Sequence, residues 1–332
     1  MLSGPERTSA ATKWLVLGTV LATGIILSLI GSTLYREFIG LPNAVVVTVG
    51  DEPVTTLEYQ AFLAFRGYEL KQQVIALDEG ERPDDYSNRL AELRTRLSSL
   101  AFQAATDLAH TTLIRVEWAT RGFEIAEVDV KDALVGIVGV SHEERPSWSE
   151  ALQEVVTATG LGVDEIERFT ADAIRRERLI EELFAGTERS PSHLRGREIV
   201  LQSEGDGTAA LERLQNGEAM EAIARELSVD PTSRESGGQV DWTPPGIRPE
   251  AWDRAVFNAP VGDVIGPFEG DSRWYLFRVL DRVDERELSD EHEEMIRQSK
   301  FDDWIAERTE TQPISYTLSA DVIDWTERNP LR

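Results

Sequence analysis

Gly205-Asp206-Gly207-Thr208-Ala209-Ala210 has the G-x-G-x-x-[GA] spacing that lets a tight turn approach a pyrophosphate, and an apolar run precedes it. The match goes no further. The helix after it stops near Asn216-Gly217 and another begins at Met220, so the second parallel strand with its ribose-binding acid is missing. His110, His142, His193 and His292 are scattered without metal-ligand spacing, and no Ser-His-Asp set can be argued from chain order. Asp290-Glu291 with Glu293-Glu294 reads as a solvated helix face. What remains is the stretch 228–242, Ser-Val-Asp-Pro-Thr-Ser-Arg-Glu-Ser-Gly-Gly-Gln-Val-Asp-Trp. It has no periodicity, and its proline and paired glycines mark an irregular loop.

The elements around that loop follow from hydrophobic spacing. The apolar run 197–202 predicts a buried strand, bounded by the turn-prone 203–207. Ala210, Leu211 and Leu214 predict a short helix that Gly217 ends, and Met220, Ile223, Ala224 and Leu227 predict a second, one-sided one. A third helix over 249–258 puts Trp252, Ala255 and Val256 on one side, and strands near 264–268 and 274–280 close the unit. The order β, α, α, α, β, β makes this an α+β domain of roughly 85 residues, large enough to fold alone.

S-x-D-P-x-S-x-x-x-G-G, a Trp four residues after the second Gly, then Ala255-Val256-Phe257, V-G-D-V-I-G-P and a final R-V-L-D together resemble the parvulin-type peptidyl-prolyl cis-trans isomerase domain. The resemblance implies a protein that turns X-Pro bonds without making or breaking a covalent bond. Amide resonance sets that barrier at ~18–20 kcal/mol. Such a site holds the proline ring in an apolar pocket and stabilises a twisted amide with nearby polar groups. No cofactor or metal is implied.

Carried over residue by residue, the resemblance assigns the family's polar cluster to Glu198, Asp230 and Tyr275, with a hydroxyl at Ser272. The substrate pocket falls on Val240, Arg248, Trp252 and Phe257. Glu198 and Tyr275 stand where the family has two histidines, and Arg248 stands where it has methionine. His193, five residues before Glu198, cannot slide into its place without shifting the strand. Two readings stay open: Glu198, Asp230 and Tyr275 rebuild a working cluster with a raised carboxyl pKa, or the domain keeps its fold as a non-catalytic grip for clients or a scaffold at the membrane.

The rest of the 332 residues suits one or two further domains. A tail, 1–13, precedes 14–35, which carries no charge, is almost wholly apolar and is long enough for one bilayer crossing. An uncleaved anchor is expected there, a cleaved signal peptide being the competing reading. Arg7 and Lys13 put the N-terminus in the cytoplasm and residues from 36 onward outside. Over 36–189 a mainly helical domain is expected. It opens on a strand at 44–49 and a turn at 50–53. Then come helices from a Thr55/Glu58 capping box to about 77, from about 90 to 122, and at 126–138, 148–159 and 164–185, with Ser147 and Glu150 capping the fourth. V-T-V-G-D-E-P-V-T at 47–55 and A-T-R-G-F-E-I at 119–125 resemble the chaperone segment of extracytoplasmic foldases of the SurA, PrsA and PpiD type. That resemblance implies unfolded or prolyl-containing exported polypeptides as partners.

Ser190-Pro191-Ser192 reads as the hinge to the parvulin-like domain, 195–282. Over 283–332 a helix at 289–307 and a short strand at 313–318 are expected to return to the chaperone-like domain. Sixty acidic against 34 basic residues, a net charge of -26, argue against nucleic acid as a partner. With no cysteine there is no disulfide framework, and the compartment stays open on that count.

Overall fold

The computed structural model describes residues 10–79, 83, 85–144 and 146–331. The chain is mainly helical α+β and divides into two compact units: the chain up to Arg176 together with Arg308–Arg332, and Glu177–Glu307. The division falls within two helices, whereas the sequence suggests a hinge at 190–192.

The first unit begins with α1 (Ala10–Tyr35) and a single π-helical turn (Arg36–Gly40). Among the described residues no helix is long and apolar enough to cross a membrane. The side chains of 10–18, 20 and 22, part of the crossing expected over 14–35, lie outside the described residues, as does most of the tail expected at 1–13. Strands β1 (Val45–Val49) and β2 (Glu52–Thr55) form a hairpin around Gly50, where the expected turn is. Five helices follow: α2 (Thr56–Glu79), α3 (Tyr86–Arg121), α4 (Glu127–Val138), α5 (Ser147–Thr159) and α6 (Val163–Phe184). The Thr55 hydroxyl accepts the Glu58 amide at 3.4 Å, the N-cap half of the expected capping box, while the Glu58 carboxylate turns to Arg115 and Arg168. The second cap differs from expectation. Pro146 holds the N-cap of α5 and Ser147 already lies in its first turn, so the proline, with no N–H to satisfy, moves the start one residue upstream.

The apolar stripes of α2 and α6 meet through Phe62, Phe65 and Phe169, with ring centroids 5.8 and 5.4 Å apart. A partly buried charge network ties the same helices to α3. Arg115 donates to Asp172 at 2.6–3.0 Å and to Glu58 at 2.7 Å, while Arg168 and Arg175 reach the same two carboxylates.

The second unit is built on β3 (His193–Leu201), α7 (Glu204–Gln215), α8 (Met220–Leu227), α9 (Pro231–Arg234), β4 (Gln239–Thr243), α10 (Glu250–Val256), β5 (Val264–Gly270) and β6 (Arg273–Val283). Its antiparallel sheet has the order β4-β3-β6-β5. Two expectations are corrected here. The turn-prone 203–207 forms the cap and first turn of α7, because the Ser203 hydroxyl accepts the Asp206 amide. The stretch 228–242 is not wholly irregular: it folds α9 and an edge strand, β4, that pairs with β3.

Alternation along the two central strands buries both faces of the sheet. Ile199, Leu201 and Leu276 pack with Ala210, Met220, Ile223 and Ala224 of α7 and α8. On the other face Leu194, Val200, Val240, Tyr275, Phe277 and Val279 pack with Trp252 and Val256 of α10. Gly207, the middle glycine of the fingerprint-like run, serves packing: a Cβ there would lie 2.6 Å from Pro267.

After β6 come α11 (Asp290–Thr311), β7 (Ile314–Tyr316) and α12 (Ala320–Arg328), the last unforeseen in the sequence. β7 pairs with β1, making a three-stranded sheet in the order β2-β1-β7 within the first unit. α12 holds the π-helical turn: the Trp325 indole donates to Glu37 O at 2.9 Å, Arg328 pairs with Glu37 at 3.0 Å and Arg36 with Asp321.

Candidate functional site

On β3 every second side chain from Leu194 to Val200 faces α10, so Glu198 shares a row with Leu194 and Val200. It is the one carboxylate in that apolar row. Glu198 pairs across the sheet with Phe277, and Val200 with Tyr275, which brings the Tyr275 ring to the same face. The neighbouring loop is drawn in by backbone bonds: Glu198 N donates to Gly238 O at 2.7 Å, and Gly238 N donates to Ser233 O at 2.7 Å. Gly238 sits at φ 81°, and a Cβ there would lie 2.1 Å from Glu198 O. Only glycine allows that approach and that backbone conformation.

Gly238 thereby sets α9 beside Glu198. Asp230 caps α9, and its Oδ2 accepts the Ser233 amide at 2.7 Å and the Ser233 hydroxyl at 2.5 Å. Pro231 occupies the first helical position, where a missing N–H is harmless. Asp-Pro-x-Ser is thus a helix-start signal within a stretch that otherwise reads as loop, and it is the signal that could have located α9. Burial pushes the Asp230 carboxyl up, but the bonds from Ser233 and Thr232 together with Arg248 outweigh it and leave it below the usual range.

Glu198 goes the other way. Its side chain is 1% exposed, and burial raises its pKa; Arg248 and the neighbouring Ser233 hydroxyl oppose that shift and Asp230 adds to it. Its Oε1 receives one long bond, 3.4 Å from Arg248 Nη2, while Oε2 is buried with no hydrogen-bond partner among the described residues. Burial and the nearby Glu198 charge likewise raise the Tyr275 phenol. Arg248, with a third of its side chain exposed, also lies over the Trp252 ring, 5.5 Å from the centroid.

Three groups of the sequence-derived pocket sit differently from a simple open wall. Trp252 is wholly buried, edge-on to Phe277 at 5.1 Å and to Phe257 at 6.3 Å, so it backs the site from beneath. Val240 is also buried, and Phe257 is half-buried at the end of α10. Ser272 lies apart. It occupies the exposed β5–β6 turn with φ 58°, and among the described residues no hydrogen bond joins it to the cluster. A turn that short demands a left-handed residue there, which accounts for its position.

Two residues joined to the cluster escaped the sequence. One is Ser233. The other is Asp253 on α10, whose Oδ2 accepts the Gly246 amide at 2.7 Å, whose Oδ1 is buried without a partner, and whose pKa burial raises to about 6 against the pull of Gly246 and Arg248. His193 lies elsewhere, at the start of β3, with its ring 5.5 Å from that of His292. Among the described residues no group of three or more His, Asp or Glu side chains can hold a metal ion.

Residues 203–283 match the family described as the PPIC-type PPIASE domain. The chain is 28% identical over 185 residues to the Chaperone SurA of Alkalilimnicola ehrlichii, covering 49% of this chain and 41% of that protein. It is 28% identical over 112 residues to the Foldase protein PrsA of a Geobacillus species, 33% of this chain and 41% of that one. The chain thus spans about two-fifths of the length of these curated relatives. A crystal structure of the peptidylprolyl isomerase PrsA from Bacillus anthracis superposes with a TM-score of 0.43 at 14% identity, covering 67% of this chain and 93% of that one. A PpiD chaperone of Haemophilus ducreyi matches at 29% over 87 residues. With its sheet, its α9 loop and its paired glycines in that stretch, the chain carries a parvulin-type, PPIC-class peptidyl-prolyl isomerase domain and has SurA, PrsA and PpiD proteins among its relatives.

Proposed function

We propose that this protein is an extracytoplasmic foldase that binds prolyl segments of unfolded exported polypeptides and turns their X-Pro bonds, with the helical unit cradling the client. The PPIC-type match over 203–283 carries the reading. Isomerisation needs only a dry, shaped site and polar groups that favour the twisted amide. Glu198, Asp230 and Tyr275 supply those groups around Arg248, and the raised Glu198 carboxyl holds a proton more readily than an ordinary one. Val240 and Phe257 supply the apolar rim, and Trp252 backs it.

The burial of Trp252 and Glu198 favours a second reading, a client-binding chaperone whose domain grips proline without catalysis. Exchange spectroscopy on X-Pro peptides with the full chain decides between them. Catalysis requires cis/trans exchange above the uncatalysed rate, reduced in Asp230→Ala. Exchange at the background rate with peptide binding retained selects the grip, and no binding at all sinks both.

An anchor through 14–35, with the N-terminus cytoplasmic, is part of this proposal. It rests on the charge-free run in the sequence and on the exposure of Leu21, Ile25, Ile26, Leu29, Ile30 and Leu34 along α1. Membranes washed at alkaline pH should retain the chain, and release of the chain into the wash would remove the anchor from the proposal.

A further inference from the structure

Arg248 reaches Glu198 and Trp252 from the connection between β4 and α10, a loop with Gly246 at φ 93° near its middle. Within residues 244–249 the side chain that reaches back to this loop's backbone is Asp253, one turn into α10, through the Gly246 amide at 2.7 Å. The geometry points to Asp253 as a positioning residue that, in its charged form, holds this loop so that Arg248 lies over Trp252 and against Glu198. The inference rests on the prolyl-site reading above and adds to it a residue that does not itself touch the peptide.

Two observations separate this from an ordinary helix residue. First, the acceptor is charged and the donor is a backbone N–H of a loop, so the bond is of the stronger, charge-assisted kind. Second, Oδ1 is buried with no partner, so ionisation of Asp253 works against folding while strengthening the loop's attachment. A carboxylate kept charged at the expense of stability is what a site, rather than a core, requires.

The charged groups around Asp253 are few. Arg248 faces it from the loop, and Glu198 of β3 stands behind Arg248. On its own helix Glu250 and Arg254 pair with each other. Glu269 of β5 is exposed, and Arg282 of β6 donates to Val256 and Ala259 at the far end of α10. Burial raises the pKa of Glu198, and its titration reaches the loop through Arg248 rather than through Gly246.

The test uses the full chain, Asp253→Asn and Asp253→Ala, each followed by backbone amide NMR of Gly246 and by binding of an X-Pro peptide across pH. The Gly246 amide should titrate near the Asp253 value of about 6 in the parent and stay flat in Asp253→Asn. Peptide affinity of the parent should fall roughly fivefold as pH drops through that range, the gap between a charge-assisted and a neutral bond. In Asp253→Asn the step near 6 should be lost, whatever pH dependence Glu198 contributes, and in Asp253→Ala affinity should be low throughout. Asparagine should also raise Tm at neutral pH, the gain shrinking as pH falls and the parent takes up its proton. A Gly246 amide that does not titrate, or an Asp253→Asn variant with the parent's affinity and pH profile, overturns the inference. A titrating Gly246 in a chain that binds no X-Pro peptide keeps Asp253 as the loop's anchor and removes the prolyl reading.

Discussion

Arg115 and Arg248 each sit among carboxylates, with opposite results. In the helical unit Arg115 meets Asp172 through three bonds of 2.6–3.0 Å and Glu58 through one of 2.7 Å. Burial works against its charge, but those bonds outweigh it and raise its pKa. In the sheet unit Arg248 gives Glu198 one bond of 3.4 Å, and buried oxygens of Glu198 and Asp253 have no hydrogen-bond partner among the described residues. The first arrangement is saturated and its charges hold helices together. The second is under-satisfied, so its charges are free to respond to a ligand or a proton. The same residue types are thus fully bonded in one unit and under-satisfied in the other, and hydrogen-bond saturation tells the two arrangements apart.

The comparison breaks most easily at Asp172. Its side chain is 5% exposed, and Asp172→Ala leaves the partly buried Arg115 with Glu58 as its remaining carboxylate, so a loss of about 2–3 kcal/mol is expected in urea denaturation. A loss under about 1 kcal/mol would mean that the network is no more than a surface pair.

Asp230 comes next. Asp230→Ala removes the N-cap of α9 and should lower stability by about 1 kcal/mol. Because its folded pKa lies below the ordinary value, that contribution is present at neutral pH and disappears as pH falls through the folded value. An Asp230→Ala difference that persists in strong acid would assign the loss to packing instead.

The smallest effect is expected at Glu198. Glu198→Gln should stay within about 1 kcal/mol of the parent at neutral pH, on the stabilising side, because it deletes a buried charge with one weak bond. Burial has raised the pKa of Glu198, so the parent should gain stability relative to the variant as pH falls toward the ordinary carboxylate range. If Glu198→Gln loses as much as Asp172→Ala, the two arginine sites are alike and the contrast fails.

Much of the fold was legible. Capping patterns and helical spacing together marked α2 to α6, and apolar runs marked β3, β5 and β6. β4 was not, because Gln239–Thr243 lies between glycines and prolines and gains its strand character only by pairing with β3. A different reason hid α12: at nine residues it is too short for its apolar spacing to stand out, although Ser319 caps it and Val322 and Trp325 form its buried face. Of the residues carried over by resemblance, Glu198, Asp230 and Tyr275 lie together near Arg248, whereas Ser272 lies in an exposed turn away from them. Asp253 left no trace, since its partner is a backbone amide seven residues upstream and no side-chain pattern records a backbone donor.

By itself the sequence determined most of the elements, their order and the acidic composition, because periodicity and charge are local properties. Only the tertiary structure decided that Glu198 would be buried with one weak bond, that Arg248 would lie over Trp252, and that Asp253 would hold the loop between them. Burial and hydrogen-bond saturation depend on which segments close over a residue, and those segments come from β3, α9, the β4–α10 loop and α10, up to some fifty positions apart in the chain.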